Sequence, residues 1–284
     1  MNCIEIMDLC FTYEDGQKAL NNICMAFKKG KTTAVLGGNG AGKSTLFLNL
    51  NGVLKPESGK VFIEGKQVKF NKKELLEVRK KIGIVFQDPE NQLFSASVKK
   101  DISFGLMNQG LCSEEIKKRM EFVINKTGIE SIVNKPTHSL SYGQKKRVAI
   151  AGVLAMKPSV IILDEPTAGL DPSGVSEILS LMNEIKETMG ITIIISTHDI
   201  DLVPLYCDDV FVMDRGSIVF EGTPEELFLK PELLREHSLR LPRIAHLMSI
   251  LYNKDHINVN KNAATISQAR KSIKELFEFG ENNG

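Results

Sequence analysis

Hydrophobic residues in this chain fall into short β-branched runs that alternate with longer amphipathic stretches through about residue 230. Four apolar runs have the length and composition of buried parallel strands: Ile82–Phe86, Val160–Leu163, Ile191–Ser196 and Val210–Met213. Helical spacing of apolar residues predicts three prominent helices beside these runs: Lys43–Val53, Ser141–Met156 and Ser173–Met189. This alternation predicts an α/β fold whose mostly parallel sheet is covered on both faces.

Two regions depart from the alternation. The chain through about Lys31 has short alternating strands, which predict an antiparallel β edge. Residues Asp88 to about Asn134 are mostly helical, with a helix start at Ser113-Glu114-Glu115. Together with the helix that follows, they predict a helical subdomain over about residues 88–156, inserted in the sheet.

The C-terminal part reads as a small extension over residues 231–284, after a main domain over residues 1–230. Thr223-Pro224-Glu225-Glu226 marks a helix start near this boundary, and Asn253–Asn262 is polar and predicts a loop. Thr265 and Gln268 are spaced to cap a last helix with an apolar stripe along one face: Ile266, Ala269, Ile273, Leu276 and Phe277. The pattern leaves open whether this stripe packs on its own chain or against another subunit.

Composition narrows the class of protein. The chain has 284 residues, 42% of them hydrophobic and 25% charged, which is typical of a globular protein. A net charge of +1 gives no bulk attraction for nucleic acid. The five scattered cysteines form no metal or disulfide pattern and fit a reducing compartment. The apolar runs are too short to cross a bilayer, so we expect any membrane role to depend on a partner.

A glycine-rich turn follows the strand-like run Thr33–Leu36 and matches the phosphate-binding P-loop pattern G-x-x-x-x-G-K-[ST]. Glycines let backbone N–H groups surround phosphates, and the following helix start adds a favourable dipole. The predicted cradle for ATP is Gly37, Gly38, Asn39, Gly40, Ala41, Gly42, Lys43, Ser44 and Thr45. Lys43 is expected to reach the β- and γ-phosphates, and the Ser44 hydroxyl to bind Mg²⁺. Kinases, GTPases and helicases share the motif, so it predicts nucleotide binding only.

Polar residues end three predicted strands. Asp164 and Glu165 follow Val160–Leu163 directly, at the sheet edge where the cradle is also expected. Asp164 is predicted to hold Mg²⁺, and Glu165 to act as the general base that activates water. Gln87 is predicted to contact the metal and sense the γ-phosphate, and His198 to contact that phosphate and orient the water. We interpret His138, His237, His246 and His256 as surface or core residues.

A second anion site is predicted where Leu140-Ser141-Tyr142-Gly143-Gln144 precedes a helix. A serine hydroxyl and backbone N–H groups at a helix start bind anions well. Ser141, Gly143 and Gln144 are therefore candidates to grip the terminal phosphate of ATP held by another copy. The residues alone leave an equal alternative, in which Ser141 only caps its own helix.

The ordered motifs GGNGAGKST, Gln87, LSYGQ, IILDEP, AGLD and STHD resemble the nucleotide-binding subunit of ATP-binding cassette (ABC) transporters over about residues 3–230. The resemblance implies that ATP lies between the cradle of one subunit and LSYGQ of the other. It also implies that Tyr13 stacks on adenine and that Asp171 links the two sites across the dimer. Tyr142 stands where this family usually has glycine, and it fits there if its φ is negative.

Two segments resemble the energy-coupling factor branch of this family, which includes the CbiO-type cobalt-import ATPases. These are Asp88–Phe94, with the residues through Gly105, and Gln144–Leu154. This resemblance implies a peripheral ATPase on the cytoplasmic face of the cell membrane. Its implied partners are a second ATPase chain, an integral membrane coupling protein and a substrate-binding membrane protein. The residues after Gln87 would line the groove for the coupling protein, and the C-terminal extension would contribute to pairing.

We therefore expect an ATP-hydrolysing transport subunit that powers uptake of a metal ion, with cobalt favoured, or of a vitamin. An alternative is a soluble non-transport ABC ATPase that acts on the ribosome or DNA. Such proteins commonly carry two cassettes or a long coiled-coil insertion, and this chain has one cradle and neither addition. A small-molecule kinase ranks last because it leaves LSYGQ and His198 without a role.

Overall fold

The computed structural model describes residues 1–281 and places the parallel strands in one six-stranded sheet. The strand order is β10-β9-β3-β8-β7-β6, and all neighbours are parallel except β9 and β10. The strands are β3 (Thr32–Leu36), β6 (Ile82–Val85), β7 (Val160–Leu163), β8 (Thr192–Ser196), β9 (Asp209–Asp214) and β10 (Ser217–Gly222). Strands β3, β6, β7 and β8 are buried throughout, as expected for a sheet covered on both faces. The α/β class is thereby confirmed.

The N-terminal strands form a second sheet of their own. It has the order β2-β1-β4-β5 and is antiparallel. Its strands are β1 (Asn2–Thr12), β2 (Lys18–Lys28), β4 (Ser58–Ile63) and β5 (Lys66–Gln67). Ile4, Leu9 and Phe27 of this sheet share a buried cluster with Phe47 and with the main-sheet residue Phe211. The antiparallel strands therefore pack over the main sheet and do not extend it.

Eleven α-helices and four short 3₁₀ helices are present within the described residues. The α-helices are α1 (Lys43–Leu50), α2 (Lys72–Lys81), α3 (Val98–Asn108), α4 (Ser113–Thr127), α5 (Tyr142–Ala155), α6 (Pro172–Met189), α7 (Val203–Tyr206), α8 (Pro224–Phe228), α9 (Pro231–Glu236), α10 (Arg243–Asn253) and α11 (Ile266–Glu281). The prediction that α1 extends to Val53 is wrong. Asn51 ends the helix, and Gly52 follows with a φ of 70°, which reverses the chain.

Helices α3, α4 and α5 occupy the region predicted as a helical subdomain. Val98, Ile102, Met120 and Val123 of the first two helices join Ile150 of α5 in one buried cluster. The start of α4 at Ser113 agrees with the sequence pattern. Ser141 precedes α5 as its N-cap, and the helix begins at Tyr142, one residue after the predicted start. The limits of the subdomain stay a prediction.

The C-terminal extension has a small core of its own. Met248 of α10, Val259 and Ala263 of the connecting loop, and Ala269 of α11 are buried together. Thr265 and Gln268 cap α11 as predicted, because each accepts a hydrogen bond from the backbone of the other. The predicted apolar stripe is divided. Ala269 and Leu276 pack in the core, while the exposed members are Ile266 (74%), Ile273 (36%) and Phe277 (70%).

Candidate functional site

The cradle joins the carboxyl end of β3 to the start of α1. Gly37 has a φ of 152°, and a Cβ atom there would overlap the carbonyl oxygen of Met213 in β9. Gly42 has a φ of 103°, and its Cβ would lie 2.5 Å from the carbonyl oxygen of Ala19. Packing against neighbouring backbone therefore requires glycine at both positions, which leaves the N–H groups of this turn free of side-chain obstruction.

Lys43 is held over the cradle. Its Nζ donates to the carbonyl oxygens of Gly37, at 2.8 Å, and Gly38, at 3.1 Å. The side chain is buried, and burial lowers its pKa, an effect opposed by the charges of Glu165 and Asp164. The Lys43 ammonium group is therefore hydrogen-bonded to neutral carbonyl oxygens. Charged γ-phosphate oxygens are stronger acceptors and can take their place.

Ser44 and Asp164 meet at the base of the cradle. The Ser44 hydroxyl donates to Asp164 Oδ2 at 2.7 Å, and Ser196 at the end of β8 donates to Asp164 Oδ1. These are hard oxygen donors, the type that Mg²⁺ prefers, and Mg²⁺ usually takes one or two carboxylates together with substrate phosphates. Within residues 1–281, no three His, Cys, Asp or Glu side chains converge to form a metal cage. The arrangement fits a metal shared with ATP.

Glu165 and His198 come from neighbouring strand ends and form a pair. His198 Nδ1 lies 2.6 Å from Glu165 Oε2. Glu165 is nearly buried, whereas the His198 side chain is 72% exposed. The Glu165 backbone has a φ of 46°, an unusual value for a non-glycine residue, and its N–H donates to Ser196 Oγ at 2.9 Å. This left-handed turn directs the carboxylate toward His198 instead of letting it continue the strand direction.

Gln87 follows β6, the neighbour of β7 in the sheet. It lines an open cleft of about 720 Å³ together with Asp164, Asp88 and Tyr142. The structure thus brings Gln87 to the same cleft as the predicted metal-binding carboxylate. Its role in contacting the metal and sensing phosphate stays a prediction.

Tyr13 lies beside the cradle. Its hydroxyl is 2.8 Å from Thr45 Oγ1, and its ring makes an edge contact with Phe11 at a centroid distance of 4.9 Å. The side chain is partly exposed. The position is compatible with the predicted adenine contact, which stays a prediction.

Ser141 and Gly143 line a different cleft, of about 570 Å³, together with Asp171 and Gly174. Ser141 and Gln144 form a capping box: Gln144 N donates to Ser141 Oγ at 3.4 Å, and Ser141 N donates to Gln144 Oε1 at 3.1 Å. Asp171 Oδ1 accepts from Gly174 N at 2.7 Å and caps α6. In the single chain, Ser141 and Gln144 therefore cap α5. The roles of Ser141, Gly143 and Gln144 toward ATP of another copy stay a prediction.

Three further residues to which the sequence gave no contact in this region are part of it. Ser196, two residues before His198 at the end of β8, bridges Asp164 and Glu165. Lys146 is buried and bonds the carbonyl oxygens of Phe86 and Gln87. Tyr142 begins α5 and donates to the Gln87 carbonyl at 3.0 Å. Its φ is not positive, so the tyrosine fits here without backbone strain.

A phosphate cradle, two strand-end acids and a separate exposed helix start together define the ATP-binding cassette class of ATPases. The profile of the ABC transporter family matches residues 20–168. A curated relative from Clostridium perfringens, "Energy-coupling factor transporter ATP-binding protein EcfA2", is 56% identical over 95% of both chains. The EcfA protein of Methanocaldococcus jannaschii is 53% identical over 96% of this chain and 97% of its own. The chain belongs to the ABC transporter family, among its energy-coupling factor ATP-binding proteins.

Solved structures agree with this assignment. The structure of cbiO1 from Clostridium perfringens, described as part of the ABC transporter complex cbiONQ, matches with a TM-score of 0.76 and 57% identity. It covers 88% of this chain and 99% of its own. The ATP-binding cassette MJ0796, solved as a dimer bound to ADP and Pi, matches with a TM-score of 0.71 and 28% identity over 78% of this chain and 98% of its own. The chain is therefore an ATP-binding, ATP-hydrolysing transporter subunit.

Within residues 1–281, no helix combines the length and the apolar character needed to cross a bilayer.

Proposed function

We propose that this chain is the peripheral motor of an energy-coupling factor importer on the cytoplasmic face of the cell membrane. It pairs with a second ATPase chain, the same or similar, and ATP lies between the cradle of one and Leu140–Gln144 of the other. The observation that carries this proposal is the separation of the two half-sites. Ser141 and Gly143 line a cleft that includes no residue of Gly37–Thr45, so they serve ATP only if it is held by another chain.

Hydrolysis is assigned to the strand-end residues. Glu165 takes a proton from the water that attacks the γ-phosphorus, while the bond to the leaving β-phosphate oxygen breaks and releases ADP. His198, at 2.6 Å from Glu165, orients the carboxylate and contacts the γ-phosphate. Lys43 neutralises charge on the β- and γ-phosphates. Ser44, Asp164 and Gln87 would hold Mg²⁺, which supplies positive charge to the phosphate oxygens when bound.

The membrane connection is assigned to an apolar groove of about 500 Å³ between the end of α2, α3 and α5. Phe94 and Phe104 are 66% and 46% exposed and stack edge to face at 4.7 Å, and Leu76 is 54% exposed at the same groove. Large aromatic groups left in water at a concave surface indicate a docking site. The segment after Gln87 forms one wall, so the occupant contacts the loop that begins in the ATP cleft. We assign the groove to a cytoplasmic helix of the membrane coupling protein.

The transported substrate lies outside this chain. We favour cobalt over nickel or a vitamin because the segments Asp88–Phe94 and Gln144–Leu154 resemble those of cobalt-import ATPases. The membrane substrate-binding protein would make the choice, and ATP-driven closing and opening of the ATPase pair would supply the work.

Purification of the native complex through a tag on this chain tests the proposal. We expect a hydrophobic coupling protein and a substrate-binding membrane protein to copurify. Phe94→Glu should remove them, because it places a charge in the apolar groove. Met107→Glu is the matched control: Met107 is 65% exposed but does not line the groove, so it should retain them. Recovery of ribosomes or DNA with both variants, and no membrane protein, would favour the soluble alternative.

A further inference from the structure

Tyr142 is the one signature residue that departs from the family pattern, and the structure shows what its side chain contacts. The hydroxyl donates to the backbone carbonyl of Gln87 at 3.0 Å. One edge of the ring lies against Gly169, where a Cβ atom would be only 3.0 Å from Tyr142 Cε1. Gly169 also has a φ of 75°, ends the turn over residues 166–169 and lies two residues before Asp171. A glycine at position 142 would make none of these side-chain contacts.

Lys146, one turn further along α5, reinforces the same link. Its side chain is fully buried, and its Nζ donates to the carbonyl oxygens of Gln87 and Phe86, the latter at 3.3 Å. The ammonium group also lies 5.8 Å from the centre of the Tyr142 ring. A buried charge needs such partners, because it is otherwise costly to remove from water. Burial lowers the pKa of Lys146 to about 8, against the opposing charges of Asp88, Asp164 and Glu165.

The backbone at Gln87 is therefore held from two sides. On the side of β6, Gln92 closes the loop, since its Oε1 accepts from Phe86 N at 3.0 Å and its Nε2 donates to Ile84 O at 3.1 Å. On the other side, Tyr142 and Lys146 of α5 donate to the Gln87 carbonyl. A shift of α5 and a shift of Gln87 cannot occur independently while these bonds persist.

We propose that Tyr142 and Lys146 are positioning residues that tie Gln87, in a chain's own ATP cleft, to the helix start and the Asp171 turn that complete the partner's ATP site. The inference rests on the proposed function, because the partner site exists only in an ATP-bound pair. ATP in one cradle, sensed through Gln87, then favours the α5 position that grips the second ATP. By thermodynamic linkage, ATP in the partner site acts back on Gln87 to the same degree.

The test uses the full-length chain carrying Glu165→Gln, in which bound ATP is not hydrolysed and pairs accumulate. Tyr142→Phe is added, which removes one hydroxyl and retains the ring against Gly169. Two quantities are measured: the affinity of each chain for a fluorescent ATP analogue, and the ATP concentration that gives half-maximal pairing by size-exclusion chromatography with light scattering. We expect the affinity to stay within about twofold, and half-maximal pairing to need about three- to tenfold more ATP, the effect of one net hydrogen bond.

Tyr206→Phe is the matched control, because it removes a tyrosine hydroxyl from α7, and it should leave both quantities unchanged. Lys146→Met is a second variant and should shift pairing further in the same direction, with circular dichroism to verify the fold. Identical pairing curves for Tyr142→Phe and its parent would overturn the inference. An equal loss of ATP affinity and of pairing would also overturn it, because that result would indicate that the Tyr142 hydroxyl is merely structural. If the Glu165→Gln parent itself fails to pair with ATP, the proposed function fails, and the inference falls with it.

Discussion

Glu165 combines a left-handed backbone conformation, φ 46°, with a carboxylate held 2.6 Å from His198. Non-glycine residues held in this region cost about 1–3 kcal/mol and persist where the surrounding structure over-determines them. Here the Ser196 hydroxyl accepts the Glu165 N–H and donates to Asp164, so one small side chain fixes both acids. At the scale of the residue, sequence predicted the pair of acids, because a buried β-branched run ends in Asp-Glu. It did not predict the turn or the part that Ser196 plays in it.

Glu165→Gln tests the assignment of the general base. The amide has nearly the same shape and can still meet His198, but it cannot accept the proton of the attacking water. We expect phosphate release to fall by about 100-fold or more while ATP remains bound and pairs accumulate. Glu187→Gln, at an exposed position of α6, is the control and should turn over normally. Unchanged turnover in Glu165→Gln would remove Glu165 from the catalytic role.

Among the helices, the sequence predicted several starts correctly, whereas it placed the C-terminal end of α1 too far along the chain. The Thr223 capping box and the Thr265–Gln268 cap are local patterns, and the structure contains both. By contrast, α1 is three residues shorter at its C-terminal end than its apolar pattern suggests, because Gly52 takes a left-handed conformation. The sequence also did not predict the strand order β3-β8-β7-β6, because neighbouring strands in this sheet come from distant parts of the chain.

Asp208 is an example of a contact between elements. Its carboxylate accepts from the Thr32 N–H at the start of β3, at 2.8 Å, from Lys186 of α6, at 2.6 Å, and from Lys31, at 3.0 Å. Partial burial raises the pKa of Asp208, but these donors outweigh it and leave the pKa below its ordinary value of 3.8. We expect Asp208→Asn to lower the free energy of unfolding by about 1–3 kcal/mol in urea titrations at neutral pH.

The sign of the pH dependence follows from the lowered pKa. At a pH above 3.8, the ordinary pKa of the group, the ionised carboxylate of Asp208 stabilises the fold. This stabilisation is lost as the pH falls through the lower pKa of the folded state. The difference between Asp208→Asn and the parent should therefore shrink with acidification. Asp209→Asn is the neighbouring control: its partner Lys28 is 58% exposed, so we expect a change of about 0.5 kcal/mol or less. An equal cost for both variants would contradict the special role of Asp208.

In the whole molecule, one part of the apolar stripe of α11 is buried and the other part is exposed. Ala269 and Leu276 pack against α10 and the preceding loop, whereas Ile266, Ile273 and Phe277 face solvent. The sequence left packing on its own chain and a subunit contact open. The structure shows packing on its own chain for part of the stripe and leaves the rest exposed. The exposed part supports the expectation, implied by the family resemblance, that the extension contributes to pairing.

Phe277→Glu tests that contribution. A charge in place of an exposed aromatic group should weaken pairing by about tenfold, the loss that corresponds to about 1.4 kcal/mol at an interface. ATP turnover should then fall at low protein concentration and recover at high concentration, as measured alongside light scattering. Leu205→Glu changes another apolar residue, 56% exposed on α7, and should behave as the parent. Pairing that is insensitive to Phe277→Glu would assign the stripe to some other contact.

Local sequence patterns were enough to predict the nucleotide chemistry of this protein. The glycines and Lys43 of the cradle, the acids after β7 and the LSYGQ helix start are recognisable because local backbone geometry demands those residue types at those spacings. Which of these groups share a cleft became visible only once the elements were packed together. Tyr142 and Gln87 are 55 residues apart, yet they meet because α5 packs beside the end of β6. Such a contact depends on how elements pack, and no local pattern of polar and apolar residues records it.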